Sequence, residues 1–409
     1  MVGGIMNCEQ INKCIACDSP ELTLVLDLKE QPLANSYKET ETQEELCFPL
    51  AINVCNHCFH VQLTHRVNPD LLFKNYLYVS GTTKTQLEYF DWFSKYVVEQ
   101  YDIRPSSILD IGCNDGSQLD YFKSLGLDTF GIDPAINLHP LSSANHTVIC
   151  DYFSKELFDR TFDVIICQNA FPHNYDQYNF LCNVKEIMED KTKLFIVTSQ
   201  ADMINNNEFD TIYHEHMSFY SIKSMDALCK RAGLNLIDVN QHHIHGKSNI
   251  FVISKSHKRD NHIQNLIENE RRSGAHALQT YKIYAEKCNE IVSQFAQTIK
   301  GLRKKNIPII GYGAPAKGNT LMNFSNERPD FIVDDNPLKH NMFTPGMSVP
   351  IYGPNKLEDI SNKEQVCFVP LAWNFFHEIK KRISLIRSID KQDLFLTYFP
   401  TVSIQGKQQ

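Results

Sequence analysis

Short apolar runs alternate with stretches of helical spacing through residues 76–256. Seven runs have the length and residue types of buried strands, namely Ser107–Ile111, Asp128–Ile132, His146–Cys150, Phe162–Cys167, Lys193–Thr198, Leu234–Gln241 and Asn249–Ser254. Helical patterns such as Asp176–Met188 lie between the earlier runs, and this alternation predicts a mostly parallel, doubly wound α/β sheet. The last two runs are close together in sequence and predict an antiparallel pair. Doubly wound sheets bind ligands at the carboxyl ends of their strands.

A second α/β pattern occupies residues 257–409. It begins with Arg259–Lys305, which has helical spacing, no proline and only two glycines, and which predicts one or two long helices. Four strand candidates follow, namely Pro308–Tyr312, Asp330–Val333, Val366–Leu371 and Asp393–Thr397. Residues 1–75 instead have no clear hydrophobic periodicity and are rich in turn-forming residues and cysteines. We therefore predict three domains, 1–75, 76–256 and 257–409.

The composition is that of a globular protein and narrows the choice of partners. The chain has 409 residues, of which 42% are hydrophobic and 22% charged, and its length suits two or three domains. With 40 basic and 48 acidic residues the net charge is −8, which disfavours nucleic-acid and membrane-surface binding. No apolar stretch reaches the ~20 residues of a membrane span, and Met1–Gln10 lacks a signal-peptide pattern. We expect a cytoplasmic protein whose oligomeric state, a monomer included, the sequence leaves open.

Two C-x-x-C pairs lie in the first block, Cys14 with Cys17 and Cys55 with Cys58. Each pair can present two thiolates through a tight turn, and two pairs complete the tetrahedral sulfur site that Zn²⁺ prefers. Four sulfur ligands leave no open position, so we interpret the zinc as structural. The alternatives are free thiols or a redox pair, although neither pair stands at the strand-to-helix turn of a βαβ unit. Substitution by His57 or His60 as a ligand is a further alternative.

A glycine-rich loop follows the first predicted strand of the middle domain, in Ile108-Leu-Asp-Ile-Gly-Cys-Asn-Asp-Gly-Ser117. Gly112 and Gly116 allow close approach of the backbone to a ligand, and Asp110 can meet the charged end of an amino-acid-like group. Asp133 ends the second strand, where a carboxylate can hold ribose hydroxyls. These features alone suit either NAD or S-adenosylmethionine.

The loop D-I-G-C-N-D-G resembles the first motif of class I methyltransferases, which have [DE]-x-G-x-x-x-G in place of G-x-G-x-x-G. The resemblance favours S-adenosylmethionine as the cofactor. Asp151 and Tyr152, after the third strand, are placed to hold an adenine. Further candidates for cofactor contact are Asn114 in the loop and Gln168 and Asn169 after the fourth strand.

A cluster of ionisable residues, Tyr213-His-Glu-His216, follows the fifth strand of the middle domain. Histidine has the near-neutral pKa needed by a base that removes a proton beside a ketone, a carboxylate can orient its ring, and a tyrosine can stabilise negative charge on oxygen. His173 follows the fourth strand and is expected at the same rim. Metal binding and an exposed polar loop are the alternatives, but H-E-H lacks the spacing of H-E-x-x-H.

A second glycine loop, Gly311-x-Gly-x-x-x-x-Gly318, follows a strand and leads into a helix in the last domain. The amides at such a helix start can hold a diphosphate, and Lys317 adds positive charge. Gly313, Asn319 and Asp334 are the other substrate-contact candidates, Asp334 because it ends the next strand. A glycine turn without a ligand is the alternative, and NAD binding is a further one.

These motifs together resemble the sugar C-methyltransferases that act on nucleotide-activated 4-keto-deoxysugars. The resemblance spans nearly the whole chain and rests on the order of the motifs. They are the cysteine pairs, Pro32-Leu-Ala-Asn-Ser36, Tyr76-Leu-Tyr-Val-Ser80, the loop from Asp110 to Gly116, Tyr213-His-Glu-His216, Gly311–Thr320, Val333-Asp-Asp-Asn-Pro337 and Thr344-Pro-Gly346. It implies a class I methyltransferase Rossmann-like sheet flanked by a small N-terminal zinc-binding module and a C-terminal Rossmann-like α/β domain.

The resemblance also implies roles for individual residues. A histidine in the position of His216 removes the C3 proton next to the C4 ketone, and the enolate then attacks the methyl group. Tyr213 and Glu215 match assisting residues, His173 matches a histidine near the sugar, and Tyr76 and Tyr78 match an aromatic segment that approaches the sugar. The family binds its nucleotide-sugar between the middle and C-terminal domains. The segment His245-Gly-Lys-Ser-Asn-Ile250 departs from the family's H-G-G-S pattern, which leaves the identity of the sugar open.

The leading hypothesis is therefore an S-adenosylmethionine-dependent C-methyltransferase of deoxysugar biosynthesis, with a nucleotide-linked 4-keto-sugar as substrate and C3 as the methylated position. An O- or N-methyltransferase acting on a similar sugar is the main alternative. A nicotinamide-linked sugar oxidoreductase and a non-catalytic nucleotide-sugar binding protein are two others.

Overall fold

The computed structural model describes residues 7–74, 79–100, 105–199, 202–244, 246–256, 261–360, 364–387 and 393–406. Its internal contacts divide the chain into two compact units. The first unit consists of residues 1–23, 53–201 and 215–278, and the second of residues 24–52, 202–214 and 279–409. The chain thus passes from one unit to the other more than once. The three predicted domain boundaries stay a prediction.

The strands, in chain order, are β1 (Cys8–Gln10), β2 (Leu22–Pro32), β3 (Cys47–Cys55), β4 (Val61–Leu63), β5 (His65–Val67), β6 (Ser107–Ile111), β7 (Asp128–Ile132), β8 (Thr147–Ile149), β9 (Phe162–Gln168), β10 (Met188–Thr198), β11 (Ser218–Phe219), β12 (Asn235–His242), β13 (Ser248–Ser254), β14 (Ile309–Tyr312), β15 (Phe331–Val333), β16 (Ile351–Tyr352), β17 (Cys367–Pro370), β18 (Leu394–Thr397) and β19 (Ser403–Gln405). The α-helices are α1 (Asp70–Phe73), α2 (Lys84–Gln100), α3 (Ser117–Ser124), α4 (His139–Ser142), α5 (Gln177–Glu186), α6 (Met203–Asn206), α7 (Ile222–Arg231), α8 (His262–Arg272), α9 (Leu278–Lys304), α10 (Ala316–Ser325) and α11 (Phe376–Ile386).

The first unit contains a seven-stranded sheet in the order β12-β13-β10-β9-β6-β7-β8. Strands β6 to β10 pair parallel with one another, with Leu109 opposite both Phe130 and Ile165. β12 and β13 pair antiparallel, and β13 also pairs antiparallel with β10. The doubly wound sheet and its antiparallel pair are as predicted. The strand bounds differ from the prediction by one residue at most, except that β10 begins at Met188 rather than at Lys193.

The core of this unit lies on both faces of that sheet. Alternate residues along one strand face opposite sides, so Ile108 joins one buried cluster and Leu109 the other. Val164 and Ile165 divide in the same way on the neighbouring strand. Burial on both faces accounts for the nearly continuous apolar runs, which are typical of parallel sheets.

The second unit contains a six-stranded sheet in the order β16-β15-β14-β17-β18-β19. Its strands are parallel except β19, which pairs antiparallel with β18. Ile310, Val333 and Phe368 belong to its buried apolar cluster. β2 and β3 are neighbours in a separate sheet. All four strands predicted for this part of the chain are present.

The predicted helical stretch 259–305 forms two helices, α8 and α9, rather than one. The break lies at 273–277, where Gly274 has a φ of +90°, a value that favours glycine. None of the helices in the described ranges combines the length and apolar character that crossing a membrane requires.

Candidate active site

The four cysteines of the two C-x-x-C pairs lie together in the first unit. Their sulfur atoms are all within 4.8 Å of one another, with Cys14 Sγ 3.5 Å from Cys58 Sγ and Cys17 Sγ 3.6 Å from Cys55 Sγ. Tetrahedral zinc with Zn–S bonds of about 2.3 Å would place its sulfur ligands about 3.8 Å apart. The cluster therefore fits Zn²⁺. Among the described residues, these four cysteines are the group that could hold a metal ion, and neither His57 nor His60 belongs to it.

The two cysteine turns are closed by corresponding backbone bonds and differ in which amide donates to sulfur. Cys17 N donates to Cys14 Sγ at 3.5 Å, and His57 N donates to Cys55 Sγ at 3.4 Å. The residue after each pair, Asp18 or Phe59, has a positive φ of 64° or 59° and donates its amide to the first cysteine's carbonyl. Each pair is thus a closed turn that presents both sulfur atoms on one side.

The glycine-rich loop after β6 requires glycine at its first turn. Gly112 has a φ of +82°, and a Cβ there would lie 2.5 Å from Ala170 Cβ. Its amide donates to Ile132 O at 2.8 Å, which ties the loop to the end of β7. Gly116, also at φ +82°, precedes α3. The loop therefore lies at the carboxyl edge of the sheet, where ligands were expected.

A cavity of about 710 Å³ opens at this edge. Seven of the nine predicted cofactor residues line it: Gly112, Asn114, Asp133, Asp151, Tyr152, Gln168 and Asn169. The other two, Asp110 and Gly116, belong to the strand and loop behind that wall. A cavity of this size is ordinary for a small-molecule ligand.

The loop side of this cavity is rich in carboxylates. Burial, reinforced by the negative charges of Asp133 and Asp115, raises the pKa of Asp110 well above its usual value. Burial also raises the pKa of Asp133, against the opposing effect of two backbone amides that donate to its carboxylate. A cationic ligand would relieve this accumulation of buried negative charge. S-adenosylmethionine, with its ammonium and sulfonium charges, fits that requirement.

The polar side chains of the cavity wall are held by the protein itself. Gln168 Oε1 accepts from Tyr89 OH at 2.9 Å, and its Nε2 donates to Gln118 Oε1 at 2.9 Å. Asn169, at φ +55°, accepts from the amide of Ser199 at 3.1 Å. These two candidates therefore shape the wall, and their side chains are already engaged in hydrogen bonds.

Part of the cavity wall was missed by the sequence analysis. Asp70 and Phe73, from the short helix α1 that ends the cysteine-rich segment, both line the cavity. Tyr152 OH donates to Asp70 Oδ1 at 3.1 Å, and the ring of Phe73 stacks on that of His173 at 5.6 Å. No local pattern marks this four-residue helix as a cavity wall, because its role depends on contacts some 80 to 100 positions along the chain.

The predicted aromatic segment with Tyr76 and Tyr78 lies outside the described residues. The residues directly after it contact the glycine loop. Ser80 N donates to Asn114 Oδ1 at 2.9 Å, and Gly81 N donates to Asp115 Oδ2 at 2.8 Å.

Two of the predicted catalytic histidines lie side by side in the first unit. The ring centroids of His173 and His216 are 5.1 Å apart. His173 lines the cavity, and its buried Nε2 has no hydrogen-bond partner among the described residues. Burial lowers the pKa of His173 to about 4, so its imidazole is neutral near pH 7. A neutral imidazole with an unused nitrogen, in a residue that lines a ligand cavity, is suited to accept a proton or a hydrogen bond.

The segment that carries His216 is fixed by backbone hydrogen bonds. Met217 N donates to Pro172 O at 3.0 Å, beside His173, and Leu63 N donates to Met217 O at 3.0 Å. β11 then pairs antiparallel with β4 of the cysteine-rich segment. The cysteine-rich segment therefore supports the strand that follows His216.

The other two members of the tetrad differ in their placement. Glu215 is buried and belongs to the first unit. Tyr213 is partly exposed and belongs to the 202–214 segment of the second unit. In the same segment, His214 Nε2 lies 3.2 Å from Phe48 O. The roles predicted for Tyr213, Glu215, His216 and His173 stay predictions.

The second unit repeats the glycine-loop geometry at the end of β14. Gly313 has a φ of +81°, and its amide donates to Val333 O at 2.8 Å. Asp334 Oδ2 accepts from Ala314 N at 2.6 Å, and Asp334 Oδ1 accepts from Asn336 N at 2.7 Å. Asp334 thus shapes this loop.

Asn319 and Lys317 differ in their burial and in their contacts within the protein. Asn319 is buried, and its Nδ2 donates to Ala34 O at 2.7 Å, so it also serves the local structure. Lys317 is only partly buried, and its Nζ lies 5.2 Å from the centre of the Trp373 ring. Of the four predicted substrate residues, Lys317 in the first turn of α10 and Gly313 in the loop before this helix are the better placed to meet a ligand.

A buried carboxyl group, Asp210, also lies in the second unit and was missed by the sequence analysis. Trp373 Nε1 donates to Asp210 Oδ2 at 2.8 Å, and Tyr398 OH lies 3.4 Å from the same oxygen. Burial raises the pKa of Asp210 to about 7, although the positive charge of Lys317 opposes the rise. This carboxyl group fixes the indole ring beside Lys317. Only its position three residues before Tyr213 could have drawn attention to it.

Comparison with known proteins gives three family matches along the chain. Residues 14–73 match a model described as "Putative zinc binding domain", residues 83–239 match "Methyltransferase domain", and residues 243–400 match "C-methyltransferase C-terminal domain". The predicted class I fold, its flanking modules and the resemblance to C-methyltransferases are confirmed. The matches and the cysteine cluster also confirm the predicted cofactors, S-adenosylmethionine and zinc.

Among curated proteins, the C-methyltransferase NovU of Streptomyces niveus is 27% identical over 387 residues, which is 90% of this chain and 91% of NovU. A ubiquinone biosynthesis O-methyltransferase of Coxiella burnetii is 23% identical over 186 residues, or 39% of this chain and 77% of that protein. Among solved structures, an S-adenosylmethionine-dependent methyltransferase from Clostridium acetobutylicum is 11% identical with a TM-score of 0.35, covering 42% of this chain and 92% of its own.

Proposed function

From the premise that this chain is an S-adenosylmethionine-dependent C-methyltransferase, we propose that it methylates C3 of a nucleotide-linked 4-keto-deoxysugar. The observation that carries the proposal is the ring contact between His216 and His173, because His173 lines the cavity together with the cofactor candidates. The match over 90% of the chain to a C-methyltransferase supports carbon as the acceptor atom.

A histidine base is needed because a sugar carbon is a poor nucleophile until it is deprotonated next to a carbonyl group. We assign the base to His216. It takes the C3 proton onto a ring nitrogen while the electron pair moves to the C4 oxygen and forms an enolate. The enolate then forms the C3–CH₃ bond as the S–CH₃ bond breaks, and that electron pair stays on the sulfur of neutral S-adenosylhomocysteine. Transfer of this kind depends chiefly on holding the two partners in line.

His173 is proposed to act beside that base as a neutral hydrogen-bond partner for the sugar. His173 lines the cavity, its buried Nε2 has no hydrogen-bond partner among the described residues, and its lowered pKa keeps the ring neutral. Stacking on Phe73 orients the ring. Glu215 and Tyr213 are proposed to assist the base and the enolate oxygen respectively, and Tyr76 and Tyr78 to approach the sugar.

The carboxylate-rich loop is proposed to hold the cofactor. Asp110 and Asp133 would meet its positive charges and ribose hydroxyls, and Asp151 and Tyr152 its adenine. The cavity's apolar wall would exclude water from the transferring methyl group.

The nucleotide's diphosphate is assigned to the glycine loop of the second unit. The amides at the start of α10, which has ten residues, carry the partial positive charge of a helix N-terminus. Lys317 adds a full positive charge there. Asp334 and Asn319 are proposed to hold the loop in shape rather than to bind the nucleotide directly.

Mass spectrometry of nucleotide-linked 4-keto-sugars incubated with the enzyme and S-adenosylmethionine tests the proposal. We expect a gain of one methylene unit located on C3. In deuterium oxide without cofactor, we also expect the enzyme to exchange the C3 hydrogen, because the base acts before methyl transfer.

His216→Asn should abolish both the exchange and the methylation while cofactor binding survives. A matched control is His262→Asn, an exposed histidine on α8 that should change neither. Methylation on oxygen or nitrogen without C3 exchange would favour the O- or N-methyltransferase alternative instead, and unchanged turnover in His216→Asn would overturn the choice of base.

A further inference from the structure

A buried glutamine, Gln177, joins the two segments that carry His173 and His216. It is the first residue of α5 and is fully buried. Its Nε2 donates to Phe171 O at 3.3 Å and to Pro172 O at 3.2 Å, in the turn that ends at His173. Its Oε1 accepts from Ser218 Oγ at 2.7 Å and from Tyr220 OH, two and four residues beyond His216.

These four bonds use the whole hydrogen-bonding capacity of the side chain. A primary amide has two N–H donors and one oxygen with two lone pairs, and here both donors meet carbonyl groups and both lone pairs meet hydroxyl groups. The amide orientation follows directly, because neither carbonyl can donate. No other natural side chain of this size offers two donors and two acceptor positions with this separation. Glutamate would place negative charge against the two carbonyl oxygens.

The same bonds continue into the cysteine-rich segment. Ser218 donates its single hydroxyl proton to Gln177. In the contact of 3.0 Å between Ser218 Oγ and His60 Nε2, the histidine nitrogen must therefore be the donor. His60 is fully buried and lies two residues after Cys58. A chain of hydrogen bonds therefore runs from the edge of the zinc-binding turn to the backbone beside His173.

We propose that Gln177 is a positioning residue that sets the separation and relative orientation of His173 and His216. The inference rests on the proposed function, since it presumes that this histidine pair does the proton chemistry. Gln177 is not one of the residues that line the cavity. It acts through the two segments that it joins. Gln177 adds a side-chain link to the direct backbone bond from Met217 N to Pro172 O, so the two segments are joined at more than one point.

Replacing Gln177 tests the proposal in the zinc-loaded, full-length protein. We expect Gln177→Met and Gln177→Glu to lower kcat about 10- to 100-fold, the size of loss that a misplacement of about 1 Å can cause. The rate of C3 hydrogen exchange should fall by a similar factor. The Kd for S-adenosylmethionine and the zinc content should stay close to those of the wild type, because Gln177 contacts neither site.

Gln31→Met is the matched control. Gln31 is also a buried glutamine that donates to a backbone carbonyl, Leu28 O at 3.1 Å, but it belongs to the second unit. We expect its kcat and exchange rate to match the wild type. Folded, zinc-loaded Gln177 variants with kcat and exchange rates within threefold of the wild type would overturn the proposal.

Two milder variants apply if Gln177→Met does not fold. Ser218→Ala and Tyr220→Phe each remove one hydroxyl donor from Gln177 and keep the packing nearly unchanged. Each should lower kcat several-fold, and the double variant should lose less than the product of the two, because both act through one residue. Independent, multiplying losses, or no loss in either, would contradict a shared role for Gln177.

A crystal structure separates failure of this inference from failure of the proposed function. If the wild type exchanges no keto-sugar at C3, the proposed substrate chemistry is wrong, and the positioning role is then judged on geometry alone. It predicts that the ring separation of 5.1 Å between His173 and His216 changes in Gln177→Met. An unchanged separation and ring orientation would overturn it.

Discussion

The glycine loops of the two units have nearly the same backbone but different charges. Gly112 and Gly313 have φ values of +82° and +81°. Each donates its amide, at 2.8 Å, to the carbonyl that ends the neighbouring strand, Ile132 in one unit and Val333 in the other. Both loops therefore close the same turn at the carboxyl edge of a parallel sheet.

The carboxylate after the second strand also plays the same part in both loops. Asp133 accepts from Asn114 N at 2.9 Å, and Asp334 accepts from Ala314 N at 2.6 Å. The two loops differ in whether a cationic side chain lies near this carboxylate. Lys339 Nζ lies 4.0 Å from the Asp334 carboxylate and donates to Ala314 O at 2.7 Å.

Among the described residues, no lysine or arginine contributes to the pKa shifts of the carboxylates in the first loop. The influences on the pKa of Asp133 are burial and two backbone amides, and those on Asp110 are burial and two further carboxylates; neither set contains a lysine or arginine. The second loop carries its own countercharge, whereas the first needs one from a ligand. Loop shape alone therefore does not identify the ligand, and the missing positive charge points to a cationic cofactor in the first unit.

The largest effect should come from filling the first loop's glycine. Gly112→Ala puts a Cβ 2.5 Å from Ala170 Cβ at a φ that disfavours side chains, whereas Gly313→Ala meets Ala372 Cβ at 3.2 Å. Overpacking and left-handed backbone together cost about 2–5 kcal/mol, so we expect at least about thirtyfold weaker binding of S-adenosylmethionine for Gly112→Ala. Calorimetry should show affinity within twofold of the wild type for Gly313→Ala.

A second substitution identifies the cause of that loss. Ala170→Gly in the Gly112→Ala background removes the clashing Cβ and should restore part of the affinity, leaving only the backbone strain. If the double variant binds no better than Gly112→Ala, the close approach to Ala170 is not what the loop requires.

Removing the carboxylates should separate binding from stability. Asp133→Asn relieves like-charge repulsion near Asp110 and should lower the affinity for S-adenosylmethionine about tenfold with little loss of stability. Asp334→Asn instead leaves the partly buried Lys339 without its carboxylate and should lower the free energy of unfolding by about 1–3 kcal/mol with the affinity unchanged. Calorimetric titration and chemical denaturation of both variants measure the two quantities. The same pattern in both variants would contradict the distinction between the loops.

Local pattern predicted the sheets and the cysteine site because each depends on short segments. Buried runs such as Ser107–Ile111 have the apolar character that burial on both faces demands, and each C-x-x-C turn forms its own sulfur pair. His173 was expected at the rim because it follows the fourth strand, and it lies 5.1 Å from His216. Strand order in a doubly wound sheet makes such proximity predictable over 43 positions.

The residues that the sequence did not reveal act through long-range contacts. Phe73 and Gln177 look like an ordinary helix end and an ordinary helix start, and their roles arise only when distant segments meet them. Lys339 is one of many lysines until the fold brings it to Asp334. Conversely, Asn319 and Asp334 have residue types suited to ligand contact, but they make hydrogen bonds within the protein. Residue type indicates which chemistry a side chain can perform. Only the fold shows whether that side chain bonds within the protein or contacts a ligand.

The smallest expected effect is a dependence of cofactor binding on pH that only the first loop should show. The pKa values of Asp110 and Asp133 are raised by burial, and a cation binds the ionised forms better, so the affinity for S-adenosylmethionine should rise severalfold as pH increases above the ordinary aspartate pKa of about 3.9. For the unliganded protein the sign is opposite. When folding raises the pKa of a carboxyl group, its protonated form stabilises the folded state. This contribution is complete below the pKa in the unfolded state and is lost as pH rises through the pKa in the folded state. S-adenosylmethionine should therefore raise the melting temperature more at neutral than at acid pH. Asp110→Asn should flatten that difference, whereas Asp334→Asn should not, because Asp334 belongs to the loop of the second unit. A stabilisation by the cofactor that is equal at both pH values in the wild type would mean that the carboxylates of the first loop do not supply the charge that attracts it.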